Sequence, residues 1–124
     1  MTATLLAVLG AALGAPTRYL ADRAVQARHD SLFPWGTWVV NVVGSFLLGL
    51  VVAGADAGAV GVGVTAALGK GFCGALTTYS TFGYETVRLL ECGSWRHAVA
   101  NLALGLTAGI GAAVAGVAIG SAVW

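Results

Sequence analysis

Charge is what this chain has least of. Only 9% of its 124 residues are Asp, Glu, Lys or Arg, where a soluble domain carries about a quarter. With a mean hydropathy of +0.87, that shortage excludes an ordinary soluble domain and makes lipid the expected solvent. The formal net charge is +1 and no basic run occurs, so nothing suggests a nucleic-acid surface. Cysteine is nearly absent. Cys73 falls inside the third apolar segment and Cys92 beyond its end, and a disulfide between them is not expected. His29 and His97 sit in charged loops without metal-pair spacing. No nucleophile–base–acid set, phosphate loop or metal-ligand cluster is present, so the chain does not read as an enzyme. The apolar stretch Thr4–Ala15 has no Lys or Arg ahead of it and Arg18 behind it. That arrangement is wrong for a signal peptide, and the stretch reads as a first membrane span.

Glycine, by contrast, is abundant, with nineteen residues. Membrane helices approach one another through small residues, and Gly10–Gly14, Gly105–Gly109 and Gly116–Gly120 each have a spacing of four. Plain helix packing is the better reading of every pair. The length is that of one small domain, residues 1–124. Crossing a bilayer as helix takes about 20 apolar residues, and four stretches qualify: 3–21, 33–53, 60–90 and 97–123. The first is interrupted by Pro16 and Arg18 near its end. Pro34 suits the first turn of the second. The third is too long for one straight span and reads as two half-helices with a break near 74–78. Trp35, Trp38, Trp95 and Trp124 fall near span ends, as aromatic-belt residues do.

With four crossings, the loops 22–32 and 91–96 share one side of the membrane, and both termini share the other with the 54–59 turn. Arg18, Arg23, Arg28, Arg88 and Arg96 all lie on or near the first side, and the other has no arginine. The positive-inside rule therefore expects both charged loops in the cytoplasm and the termini outside.

The third span contains the run GFCGALTTYSTF, Gly71–Phe82, in which four hydroxyls (Thr77, Thr78, Ser80, Thr81) fall within five residues. Glycine and threonine both weaken helix, and irregular backbone at membrane depth is tolerated only inside protein or along a hydrated cavity. Backbone groups freed in broken membrane helices commonly bind ions. Hydroxyls bonding back to their own helix would explain one or two of the four, not all. In the second span Thr37, Asn41 and Ser45 share one face. Asn41 is either glue between helices or a donor to a passing anion. Tyr79 and Phe82 stand three apart, and their ring edges carry partial positive charge; simple packing is the commoner use of such a pair. Asn101, in the fourth span, pairs with Asn41 or with the break, again as glue or as pore lining. Lys70 lies about ten residues into the third span, where an ammonium is paired, snorkelling or functional; snorkelling is the first expectation. Glu85, near the end of that span, is the carboxylate nearest the break within the spans.

Arg18 after Gly14-Ala15, the Gly36-Thr37…Asn41…Gly44-Ser45 pattern and GFCGALTTYSTF together closely resemble the Fluc (CrcB) fluoride channel family, in order through all four spans. The resemblance implies an all-α membrane protein of four transmembrane helices, the third broken at its centre, assembled as an antiparallel dual-topology-type dimer in the plasma membrane. It implies passive, fluoride-selective export that relieves fluoride toxicity, through pores lined by both subunits. By that resemblance Asn41, Tyr79, Ser80, Thr81, Phe82 and Asn101 would line the fluoride pore, and Arg18 would stand near its vestibule. The carbonyls of Gly74 and Thr77 would hold a structural sodium ion at the dimer centre. Three features depart from the family pattern: Tyr79 replaces a phenylalanine, Gly105 and Gly109 stand where serines would continue the polar track, and Lys70 replaces an uncharged residue. The arginine bias opposes insertion both ways and favours an oppositely oriented homologue as partner over a second copy. The alternatives are a non-conducting partner subunit of a heterodimeric fluoride channel and a small multidrug-type transporter. The latter needs an intramembrane carboxylate that the spans scarcely offer.

Overall fold

The computed structural model describes residues 1–124 and is helical throughout. Helix α1 spans Thr2–Gln26, α2 Trp35–Asp56 and α6 Trp95–Val123. These three are long and apolar enough to cross a membrane. Between α2 and α6 the third span runs in pieces. α3 (Val62–Val64) continues into a π-helical segment, Thr65–Cys73, and then α4 (Gly74–Leu76); α5 (Ser80–Glu91) follows a break.

Pro16 does not interrupt the first span: α1 continues through it to Gln26. Proline removes one backbone donor, but membrane helices tolerate this where other groups re-satisfy the helix. The carbonyl that loses its N–H partner is that of Ala12; one residue on, Thr17 Oγ1 donates to the Leu13 carbonyl at 2.7 Å. The first charged loop is correspondingly short. Pro34 sits immediately before α2, as its N-cap.

Packing is by close backbone contact. A Cβ added at Gly10, Gly14 or Gly71 would collide with the carbonyls of Ala67, Phe72 and Ala7 respectively. α1 is thereby held against the π-helical segment, and the Gly10–Gly14 pair works as packing. On the other side α2 lies along α6. Gly49 faces the Ala113 carbonyl, Gly116 the Phe46 carbonyl, and a Cβ on Gly120 would stand 2.6 Å from that of Ala53. The first half of the third span thus packs on α1, whereas α5 packs on α6. Only 23 of 124 residues are buried within the chain. Most of the apolar surface therefore faces outward, toward lipid or another subunit.

Candidate functional site

The break comprises Thr77, Thr78 and Tyr79, between α4 and α5. At Thr77 the chain turns extended, with ψ of 157°, and the helical ladder stops. No backbone N–H reaches the carbonyls of Gly74, Ala75 or Leu76. Gly44 in α2 makes room for the turn, since a Cβ there would strike the Thr77 methyl group.

Side chains from two other helices bind the released groups. Asn41 Nδ2 donates to the Thr78 carbonyl at 3.0 Å, and the Thr78 N–H donates to Asn41 Oδ1 at 2.7 Å. One carboxamide therefore replaces two missing backbone partners. Arg18 Nη1 donates to the Thr77 carbonyl at 3.3 Å. The four hydroxyls divide in use. Thr77 Oγ1 bonds back to the Cys73 carbonyl at 2.9 Å, the ordinary helical habit. Thr78 Oγ1 instead accepts from the Thr81 N–H at 3.2 Å and meets Thr81 Oγ1 at 3.1 Å and Ser80 Oγ at 3.4 Å. It acts as the cap that starts α5.

Asn101 pairs with neither Asn41 nor the break. Its Nδ2 donates to Thr86 Oγ1 at 2.8 Å, and Thr86 Oγ1 donates in turn to the Phe82 carbonyl at 2.8 Å. Asn101 is 1% exposed and ties α6 to α5, one turn below Phe82. The packing of α5 on α6 brings Thr86 within hydrogen-bond reach of Asn101.

Two cavities meet at the break. A groove of about 320 Å³ is lined by Asn41, Ser45, Thr77, Thr78, Tyr79, Phe82 and Asn101, with Trp38 and Gly105 among its other walls. A second cavity, of about 230 Å³, is lined by Arg18, Tyr19, Asp22, Thr37, Thr78 and Thr81. Thr78 belongs to both and forms the wall between them. A third cavity, of about 330 Å³ on the loop side, shares Asp22 with the second and adds Gln26, Glu85 and Arg88. Of the residues singled out in the sequence, Asn41, Tyr79, Phe82 and Asn101 share the groove. Arg18 and Thr81 lie in the second cavity, and Ser80 lines neither. The Tyr79 and Phe82 rings stand 6.4 Å apart with a 44° tilt. Tyr79 is 85% exposed, so its ring projects from the subunit. A Cβ at Gly105 would come within 2.7 Å of the Phe82 ring, which rests on that glycine. Gly109 has room, its nearest neighbour being Ser45 Oγ at 3.9 Å.

Three polar residues carry more of the site than their sequence pattern shows. Thr78 and Thr86 are described above. The third is Thr37, whose Oγ1 donates to Glu85 Oε1 at 2.9 Å. Glu85 Oε2 is buried with no protein partner, but the residue lines the loop-side cavity, which has room for water. A threonine and a glutamate in separate apolar spans were the available signal, since each needs a partner.

The model of the family described as CrcB-like protein, Camphor Resistance (CrcB), matches residues 5–117. A protein of Streptomyces avermitilis named fluoride-specific ion channel FluC 1 is 52% identical over 120 residues, covering 97% of each chain. A protein of the same name from Frankia casuarinae is 55% identical over 125 residues, again with 97% of each covered. A FluC protein from a Shewanella species is 43% identical over 107 residues, 86% of each chain. With apolar helices suited to crossing a membrane and relatives matched over nearly its whole length, the chain belongs to the CrcB family and is a multi-pass membrane protein.

Proposed function

We propose that this chain is a subunit of a fluoride channel and that fluoride passes along the break in the third span. The observation that carries the reading is that Thr78 lines two cavities at once. A route from the loop side would run through the cavity of Arg18 and Asp22, past Thr78 and Thr81, into the groove of Asn41, Tyr79, Phe82 and Asn101. The guanidinium of Arg18 would draw an anion into that path.

Fluoride is small and holds its water tightly, so compact donors must replace that shell. A side-chain amide has two N–H donors. Asn41 and Asn101 each give one to the protein and keep one for the ion. The Thr81 hydroxyl supplies a further donor, and the ring edges of Tyr79 and Phe82 offer weaker, non-dehydrating contact. Ser80, which lines neither cavity, bears on the path only through Thr78 Oγ1 at 3.4 Å. Such mixed, shared coordination suits conduction, where the ion must also leave. Export is passive. An interior 100 mV negative is worth about 2.3 kcal/mol per charge, which sustains roughly a 50-fold gradient of a monovalent anion.

The exposed Tyr79 and the partnerless carbonyls of the break call for a second subunit, because such backbone does not face lipid. An antiparallel partner would complete each pore. The chain's residues fit a central sodium ion in kind, for main-chain carbonyls are hard oxygen donors and Gly74 is exposed without a side chain to cover them. Bound there between subunits, sodium would supply positive charge to offset the converging carbonyls. The Gly74 carbonyl is the freer of the two, since Thr77 already accepts from Arg18.

The test is fluoride efflux from liposomes containing the purified chain, alone and with an oppositely oriented homologue. The reading expects fluoride efflux, strongly selective over chloride, in at least one of the two preparations. Absence of efflux from both overturns it.

A further inference from the structure

The break and its cavities leave Lys70 unaccounted for. It lies in the π-helical segment Thr65–Cys73 and is exposed. Asp22, Asp30, Glu85 and Glu91 belong to the side of the charged loops, and Asp56 to the turn before α3. Glu85 is engaged by Thr37. Lys70 has no ion-pair or hydrogen-bond partner in the chain. Its Cα is eight residues beyond Val62, roughly 12 Å at helical rise. A lysine side chain of five bonds reaches on the order of 6 Å. Snorkelling therefore covers about half of that distance and leaves its ammonium well short of the span's start at Val62. An ammonium held in that position is costly without a partner.

The polar groups it lacks lie in the other direction. Gly74, four residues on, is exposed as Lys70 is, whereas Gly69, Gly71 and Cys73 between and beside them are buried against the neighbouring helices. Residues four apart share a helix face. The Lys70–Gly74 ridge thus runs into the carbonyls of Gly74, Ala75 and Leu76, which have no N–H partner. That face must be covered by protein. An antiparallel partner laid on it brings its own carbonyls of the same kind opposite Lys70.

We infer that the Lys70 ammonium lies in the subunit interface and donates to the partner's released carbonyls, supplying there the charge that sodium otherwise brings. It also selects the partner. Two copies of this chain would place two ammonium groups about one carbonyl cluster, and like charges repel. A subunit with a neutral residue at this position leaves one ammonium and a matched cluster. The five arginines on one side and none on the other likewise assign the second orientation to a different chain. The inference rests on the paired-subunit part of the proposed function and not on which anion passes.

The test needs only this chain and its variant Lys70→Met, reconstituted from detergent so that both orientations insert. Subunit association in liposomes is followed by energy transfer between dyes, without fluoride, in sodium and in N-methylglucamine. Mixed wild-type and K70M pairs are expected to associate more tightly than wild-type pairs by on the order of tenfold, the effect of one like-charge pair at partial burial. Replacing sodium should leave the mixed pair unchanged and weaken the K70M pair to a similar degree. Lys70→Gln serves as a second neutral variant should the methionine fold poorly. Equal association of all pairs, or equal sodium dependence, overturns the inference. Intact association without fluoride efflux would instead count against the channel reading alone.

Discussion

Asn41 shows how much one side chain can carry in a membrane. Its amide pairs both the N–H and the carbonyl of Thr78, which makes it glue between helices, and the proposed function assigns its remaining N–H to the pore. Asn41→Leu leaves a backbone N–H and a carbonyl unpaired, each worth about 1–3 kcal/mol when buried. Thermal unfolding in detergent should show a loss of about 2 kcal/mol or more, with fluoride efflux abolished. Asn41→Asp keeps the acceptor for the Thr78 N–H but loses the donor and adds a negative charge to the path. A smaller loss of stability with equal loss of flux is expected, and unimpaired flux in the aspartate variant would remove Asn41 from the pore. Asn101 and Thr86 form a second pair. Interhelical hydrogen bonds of this type average about 0.6 kcal/mol and reach about 1.7. A double-mutant cycle of Asn101→Leu and Thr86→Val should return coupling in that range, and strict additivity would deny the bond.

At the scale of elements, α5 depends on a cap that belongs to the break. Thr78 is 9% exposed, and its hydroxyl receives the Thr81 N–H at 3.2 Å. Losing an N-terminal cap of this kind costs about 0.5–2 kcal/mol. Thr78→Val should lower the melting temperature and Thr78→Ser should largely restore it, both read by unfolding in detergent. The break itself was legible in the sequence, because glycines and four clustered hydroxyls disagree with an apolar span. What holds it was not. Arg18 on Thr77, and Asn101 on Thr86, depend on which helices become neighbours, which no local pattern states. The π-helical register of Thr65–Cys73 was equally hidden. It coincides with the stretch where Gly10, Gly14 and Gly71 press two backbones together, a property of the pair and not of the segment. Pro16 misled for a related reason: a breaker in water is tolerated in a membrane helix, and α1 runs through it to Gln26.

For the whole molecule the arginine distribution makes a prediction independent of the site. Reporter fusions to the C-terminus should give signal only from the outer side of the membrane, whereas comparable signal from both sides would restore the self-paired dimer. Membrane thickness enters here too. α6 has 29 residues, about 43 Å of helix, against a hydrocarbon core of about 30 Å. It must tilt or protrude, and the helices around it must follow. The third span begins against α1 and finishes against α6. A displacement of one end relative to the other is therefore taken up over Thr77, Thr78 and Tyr79. Those three residues are then a mechanical joint, so a thinner or thicker bilayer would register as torsion at the break and, under the proposed function, in the path of the ion.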